Sequence, residues 1–300
     1  MNNFKSGFVT ILGRPNVGKS TLLNNMLAFK ASIVTHKAQT TRDNISGIYT
    51  DQDAQIVFID TPGIHKAFNE LGKVMNDFAY TSIDGVDLVL FIDDLTKPFD
   101  DLDQEILTFL GQINLPLIIL FNKRDLVSDE DEIKRHHAYY AALKPLASLD
   151  IVASSSIDKA KILSLLKEHL AYGPMFYPED QLMDKDERFL VKEVIREKVL
   201  LFTNKEVPYS VAVEVDSFKE DPSNPDLLNI NCTIITERPT QKMIIIGDKG
   251  QMIKKIGRAA RLDLQKLLDK KIYLELFVKV ENDWRNRKYY LKAYGYKVEK

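Results

Sequence analysis

Cysteine is nearly absent: Cys232 is the only one in 300 residues. A lone thiol excludes an internal disulfide framework and a cysteine-ligated zinc site, and fits a reducing cytoplasm. Its place in an alternating run predicts a half-buried strand residue. Long apolar runs are missing too. None approaches the ~18 residues that a membrane span needs, and the start, Met1-Asn2-Asn3-Phe4-Lys5-Ser6-Gly7, does not read as a signal peptide. The expectation is a cytoplasmic protein whose membrane contact, if it has any, is peripheral. Nor is there an excess of one charge. Lys and Arg total 41, Asp and Glu 43, for a net charge of −2, so a nucleic-acid surface has to be local rather than global. What remains is 45% apolar and 28% charged residues, enough to build the cores of two ordinary domains.

The chain is organised around Gly13-Arg14-Pro15-Asn16-Val17-Gly18-Lys19-Ser20, which fits the phosphate-binding pattern G-x-x-x-x-G-K-[ST]. An apolar, β-branched run (Phe8-Val9-Thr10-Ile11-Leu12) precedes it, and apolar residues at helical spacing follow from Thr21. A strand, a glycine-bounded turn and a helix start aim backbone N–H groups at one spot, at the positive end of a helix dipole. Lys19 is expected on the β- and γ-phosphates and the Ser20 hydroxyl on Mg²⁺. Thr40-Thr41-Arg42, in the polar stretch after that helix, suits a segment closing over metal and γ-phosphate.

Two strands are expected next, over 44–49 and 54–59, the second ending in Asp60-Thr61-Pro62-Gly63. A carboxylate at the end of a buried strand beside the P-loop strand can hold Mg²⁺. Gly63 offers a backbone N–H to the γ-phosphate and the freedom to move when that phosphate leaves. Lys19, Thr41 and Gly63 are thus the groups expected to act on the transferred phosphate. Ile64 follows where many GTPases carry a water-orienting glutamine. An aliphatic side chain cannot do that, so slow intrinsic hydrolysis is expected; neighbouring His65 reads as a solvated loop residue.

Helices over 66–81 and 97–111 alternate with strands over 87–93 and 117–121, and the last strand leads into Asn122-Lys123-Arg124-Asp125. This N-K-x-D selects the base. The Asp125 carboxylate can accept from guanine N1–H and its 2-amino group, whereas adenine offers neither donor there. Asn122 braces the loops and the Lys123 stem packs on the purine. A helix over 131–146 carries His136 and His137, both expected at the surface. A short strand over 150–153 leads to Ser154-Ser155-Ser156, where a backbone N–H could reach guanine O6, and a helix over 159–170 closes the domain. Buried strands alternating with amphipathic helices give an α/β, doubly wound, mostly parallel sheet with its ligand at the strands' carboxyl ends.

The first domain is expected over 1–172 and a linker over 173–186, where Gly173, Pro174 and Pro178 break the pattern. Residues 187–300 change character: a helix over 187–202, strands over 209–215 and 228–236, a glycine loop, helical segments carrying Met252 and Ile253 and then spanning 258–268, and a strand over 272–280. The order αββααβ and the loop Gly247-Asp248-Lys249-Gly250 fit a KH module, whose G-x-x-G clamps the backbone of single-stranded nucleic acid. Arg238, Lys242, Lys249, Lys254 and Arg258 supply local positive charge, and Ile246 and Ile253 flank the loop. Trp284, Tyr289 and Tyr290 are expected in a C-terminal helix after the third strand, where burial against the sheet and stacking on bases both remain open.

With Gln39-Thr40-Thr41-Arg42, Pro208-Tyr209-Ser210-Val211 and Phe176-Tyr177-Pro178-Glu179-Asp180, these motifs together resemble the Era family of bacterial GTPases over essentially the whole chain. The resemblance implies binding of 16S rRNA near its 3′ end, assistance to 30S subunit maturation, and some contact with the inner face of the cell membrane. It makes Thr41 the switch threonine, treats the missing glutamine at Ile64 as normal, and implies an activating K⁺ at Asn16. Nucleotide contacts carry over to the P-loop from Gly13 to Thr21, to Asp60, Thr61, Pro62 and Gly63, to Asn122, Lys123 and Asp125, and to Ser155-Ser156. Here the family's guanine-contacting Ser-Ala is Ser-Ser, and the following residues 157–160 lack the usual glycine. A monomer that couples GTP or GDP state to RNA binding is expected. A translational or nucleotide-modifying GTPase, and an RNA-binding module with a degenerate GTPase half, are the alternatives; intact Lys19, Ser20, Asp60 and Asp125 argue against the last.

Overall fold

The structure is a computed structural model and describes residues 4–35, 37 and 40–296. The chain divides into two compact units, one formed mainly by residues up to Asp184 and the other mainly by residues from Lys185 onward, with Asn69–Leu71 grouped with the second.

The first unit holds a six-stranded sheet in the order β2-β3-β1-β4-β5-β6. The strands are β1 (Lys5–Gly13), β2 (Ile45–Thr50), β3 (Ala54–Asp60), β4 (Leu88–Asp94), β5 (Leu117–Asn122) and β6 (Ala147–Ile151). Only β2 runs antiparallel to its neighbour; the other pairings are parallel. The helices are α1 (Lys19–Leu27), α2 (Glu70–Thr81), α3 (Asp101–Gln112), α4 (Glu130–Tyr140) and α5 (Ser156–His169). Every residue of β4 and β5 is buried, as a parallel strand covered on both faces requires. Strand alternation divides them: Leu88, Leu90 and Ile92 pack with α1 and α5, while Val89 and Phe91 pack with α3 and α4. The chain order reverses at β1, with β3 on one side and β4 on the other, which places the ligand crevice at the carboxyl end of β1.

Two expectations change here. Residues 173–184, read as a linker, belong to the first unit. Gly173 N–H donates to the Phe4 carbonyl, the Gln55 side chain accepts from Phe176 and Tyr177 N–H, and Asp184 takes Ser46 N–H and Oγ–H. Ile48 N–H also donates to the Leu182 carbonyl, so the segment covers the outer edge of β2. His136, expected at the surface, is 1% exposed; its Nδ1 lies 2.5 Å from Asp93 Oδ2, and Phe99 packs on its ring. A polar residue goes inside when a buried carboxylate at the end of β4 supplies its partner.

The second unit begins with α6 (Glu187–Phe202), capped by the Asp186 carboxylate on Phe189 N–H. A three-stranded sheet follows: β7 (Ala212–Asp221) antiparallel to β8 (Asn224–Thr236), and β8 parallel to β9 (Lys271–Val280). Between β8 and β9 lie α7 (Pro239–Ile246) and α8 (Gln251–Leu268). The order αββααβ holds, but the two middle helices flank the glycine loop. Residues 251–268 are one helix, because Gly257 alone does not end it; α7 starts upstream, with proline at its first position. Val194, Ile195, Cys232, Ile256 and Leu264 share the core, and Cys232 is fully buried. Trp284 is also fully buried, donating to the Ser210 carbonyl at 2.9 Å, whereas Tyr289 is 78% exposed. The short α9 (Lys288–Ala293) closes the described chain. No helix among the described residues is long and apolar enough to cross a membrane.

Candidate nucleotide and RNA sites

Loops from β1, β3, β5 and β6 meet at the carboxyl ends of the sheet, and their close approach explains their glycines. A Cβ on Gly13, whose φ is +150°, would sit 2.4 Å from the Ile92 carbonyl oxygen. One on Gly18, at φ +111°, would meet Asn122 Nδ2 at 2.2 Å, and one on Gly63 would meet Pro15 N at 2.5 Å. Asn16 also takes a left-handed φ of 65°, a region asparagine tolerates. Arg14 leaves the loop sideways: its guanidinium donates to Asp100 and Asp103, each at 2.8 Å, the two acids of the capping box that opens α3.

Lys19 is buried and donates to the Gly13 and Arg14 carbonyls at 3.0 and 2.8 Å. Burial lowers its pKa to about 8, against the opposing pull of Asp60. Thr21 follows in the first turn of α1, half-buried. Thr61 donates to the Ile11 carbonyl at 2.7 Å, pinning the end of β3 to β1, and Pro62 is buried beside it.

Hydroxyls converge on Asp60. Its Oδ2 accepts from Ser20 at 2.9 Å, Ser32 at 2.9 Å and Thr41 at 3.3 Å, and Ser20 and Thr41 lie 2.9 Å apart. Burial pushes the Asp60 carboxyl upward, while Lys19 opposes the shift. Its Oδ1 is buried and without a hydrogen-bond partner. An orphaned carboxylate oxygen among hydroxyls is a hard-oxygen donor set, which suits Mg²⁺. The structure therefore brings together Ser20, Thr41 and Asp60 as expected, and adds Ser32. A lone serine in a turn-rich stretch carried no signal that could have found it.

The base loop is tied to the P-loop. Asn122 donates to the Val17 carbonyl at 2.6 Å and accepts from Ala153 N–H at 2.8 Å. Lys123 adopts a left-handed φ of 64° and places its Nζ 2.5 Å from Asp94 Oδ2. Asp125 is exposed in a 3-10 turn just past β5. The serine run needs a correction. Ser155 N–H is taken by the Val152 carbonyl, and Ser155 Oγ caps α5 by accepting from Asp158 N–H. Ser156 already begins the helix, so residues 157–160 are its first turn, where glycine has no use. The N–H of Ser156 is one of the first four in the helix and has no intrahelical partner.

Ile64 is 1% exposed and packs in the apolar cluster with Leu12, Ala79 and Phe91. His65, read as solvated, is instead half-buried. Its Nδ1 lies 2.7 Å from the Gly63 carbonyl, its main chain pairs with Asn76, and burial lowers its pKa.

In the second unit Gly247 sits at φ 70°, ψ 173°, a region open essentially to glycine alone, and a Cβ there would meet Met252 N at 2.8 Å. Gly250, at φ +76°, is the N-cap of α8, and a Cβ there would meet only Ile253 Cγ2, at 4.0 Å. Asp248 and Lys249 between them are exposed, as are Lys254 and Arg258 on α8. Ile246, Ile253 and Lys242 are half-buried around the loop, and Met243 beside them is 66% exposed. Arg238 is the N-cap of α7 and its N–H donates to Gln241 Oε1. Glycine freedom, a helix N-terminus, cations and exposed apolar side chains thus lie together.

A family model described as 50S ribosome-binding GTPase matches residues 8–123, and a KH domain model matches residues 206–285. GTPase Era of Geobacter metallireducens is 46% identical over 295 residues, 98% of this chain and 99% of that protein. The chain belongs to the Era family of GTPases. GTPase Era of Geotalea daltonii is likewise 46% identical over 294 residues, 98% of each chain. Among solved structures, an Aquifex aeolicus Era variant bound to GDP and aluminium fluoride matches with a TM-score of 0.92 at 38% identity. So does Era in complex with MgGDPNP and nucleotides 1506–1542 of 16S ribosomal RNA. Each comparison covers 98% of this chain and 100% of the other. In this Era-family chain the Ile64 side chain is taken up in the apolar cluster with Leu12, Ala79 and Phe91.

Proposed function

We propose that this Era-family GTPase binds and slowly hydrolyses GTP, and that its KH module binds 16S rRNA near the 3′ end during 30S subunit maturation. The observation that carries the GTP half is the joining of P-loop, D-x-x-G and N-K-x-D by Asn122 and by the hydroxyls on Asp60. The G-x-x-G loop with its cations and apolar flank carries the RNA half; the relative solved with an rRNA fragment supports it.

Ser20, Thr41 and Asp60 would hold Mg²⁺, which neutralises charge on the β- and γ-phosphates when bound. The chain's own residues do the rest. Lys19, now on two loop carbonyls, exchanges them for phosphate oxygens. Gly63 N–H reaches the γ-phosphate, and Thr41 closes from the other side. Asp125 takes the guanine N1–H and amino group, Lys123 lies along the ring, and Ser156 N–H meets O6. With Ile64 packed inward, its aliphatic side chain orients no water, which keeps the intrinsic rate low. The further readings are K⁺ at Asn16, a monomer, RNA affinity set by GTP or GDP state, and a cytoplasmic protein with peripheral contact at the inner face of the membrane. The family resemblance supports them.

Binding of GTP against ATP, and of an oligonucleotide from the rRNA 3′ end with GTP, GDP or no nucleotide, tests the proposal. Tight GTP binding, none of ATP, and nucleotide-dependent RNA affinity are expected. RNA binding without any GTP binding would leave only an RNA-binding module, and equal hydrolysis in Na⁺ and K⁺ would remove the potassium site.

A further inference from the structure

Ser32 lies in the loop between α1 and β2, 3% exposed, and its hydroxyl donates to Asp60 Oδ2 at 2.9 Å. It is held from behind. Asn24, on α1, accepts Ala31 N–H and Ser32 N–H through Oδ1, each at 2.9 Å, and donates from Nδ2 to the Ser32 carbonyl at 2.8 Å. One amide thereby fixes both faces of this short stretch of main chain to the P-loop helix. The other two donors to Oδ2 are Ser20 and Thr41, whose oxygens the reading above assigns to the metal. Ser32 approaches Thr41 only at 3.4 Å. Asp60 Oδ1 is buried and unpaired.

We propose that Ser32, locked by Asn24, is a positioning residue for Mg²⁺: it holds Asp60 by Oδ2 and so keeps Oδ1 as the acceptor for the metal and its water shell. A buried carboxylate with one oxygen satisfied by a fixed donor does not rotate to satisfy itself. Without Ser32, both donors left on Oδ2 are groups whose oxygens turn to the metal. The carboxylate is then held only by hydroxyls whose own positions follow the metal, with no anchor fixed independently of it. Asn24 makes the device independent of Thr41, because it ties Ser32 to α1.

The inference rests on the assignment of Mg²⁺ to Ser20, Thr41 and Asp60, and the test separates the two. Release of fluorescent GDP from the full-length protein is followed against free Mg²⁺ and in EDTA, with thermal melting in parallel. Ser32→Ala is expected to raise the Mg²⁺ midpoint about tenfold, the worth of one hydrogen bond to a charged group, while release in EDTA and the melting temperature stay close to wild type. Ser32→Thr, which keeps the hydroxyl, restores the midpoint, and Asn24→Ala shifts it in the same direction as Ser32→Ala. If Ser32→Ala does not fold, Ser32→Cys, a weak donor, is read in its place. A wild-type midpoint in Ser32→Ala beside a shifted one in Asp60→Asn overturns the role of Ser32 alone. Faster release by the same factor in EDTA also overturns it, since that marks general loosening. An unshifted midpoint in Asp60→Asn sinks the metal assignment and this inference with it.

Discussion

The Asn122 side chain donates to the Val17 carbonyl at 2.6 Å, tying together two loops 105 residues apart. Its other end accepts Ala153 N–H, so one amide spans the P-loop, the base loop and the turn between β6 and α5. Asn122→Ala strands both partners in buried surroundings at a cost of about 1–3 kcal/mol each. Urea unfolding of the variant is expected at a lower midpoint, with GTP affinity reduced in step. Asn122→Asp keeps the acceptor for Ala153 N–H but sets a buried carboxylate oxygen against the Val17 carbonyl, so it is expected to be no more stable than Asn122→Ala.

Asp125 is exposed just past β5, with its selectivity resting on accepting two donors from the base. Asp125→Asn replaces one of those acceptors with a donor. GTP affinity is expected to drop by about two orders of magnitude, the scale set by unpaired polar groups in a recognition site. Xanthosine triphosphate, which carries an oxygen where guanine has its amino group, gains. Competition between the two nucleotides reads the switch directly.

His136 and Asp93 form a buried pair, and the Tyr140 hydroxyl lies 3.4 Å from the same carboxylate. Removing the imidazole leaves Asp93 in a low-dielectric pocket with one long hydrogen bond. His136→Ala is expected to cost about 3 kcal/mol of stability, seen as a lower melting temperature of the first unit in calorimetry. GTP affinity, measured on protein that remains folded, should fall less than in Asn122→Ala.

The two glycines of the RNA loop should separate in their effects. At Gly247 a methyl group collides with Met252 main chain, so Gly247→Ala is expected to lower the melting temperature of the second unit. At Gly250 a Cβ would meet only Ile253 Cγ2, at 4.0 Å, so beside the strain of its left-handed φ the effect of Gly250→Asp is a carboxylate set where a phosphate is to approach. RNA binding by filter retention is expected to be lost, with GTP binding unchanged.

The sheet and its ligand motifs were legible because each signal was local: buried runs of Val, Ile and Leu, and glycines at fixed offsets. Contacts between distant residues were not. Nothing near His136 announces that Asp93 waits inside, and nothing near Ser32 announces Asp60. The serine run misled for another reason. A Ser-rich stretch after a strand suits a loop and a helix N-cap equally, and the cap won because Asp158 two residues beyond Ser156 completes it. The boundary at 173 failed because Gly and Pro report the end of regular structure, not the end of packing.

That misplaced boundary has a practical side. β2 is the last strand of its sheet, and its outer main-chain groups would be a template for another chain to pair with. Leu182 and Asp184 occupy two of them, at Ile48 and Ser46. A GTPase fragment trimmed at Tyr172 would uncover that rim and tend to self-associate, whereas one carried through to Asp184 keeps its own cover.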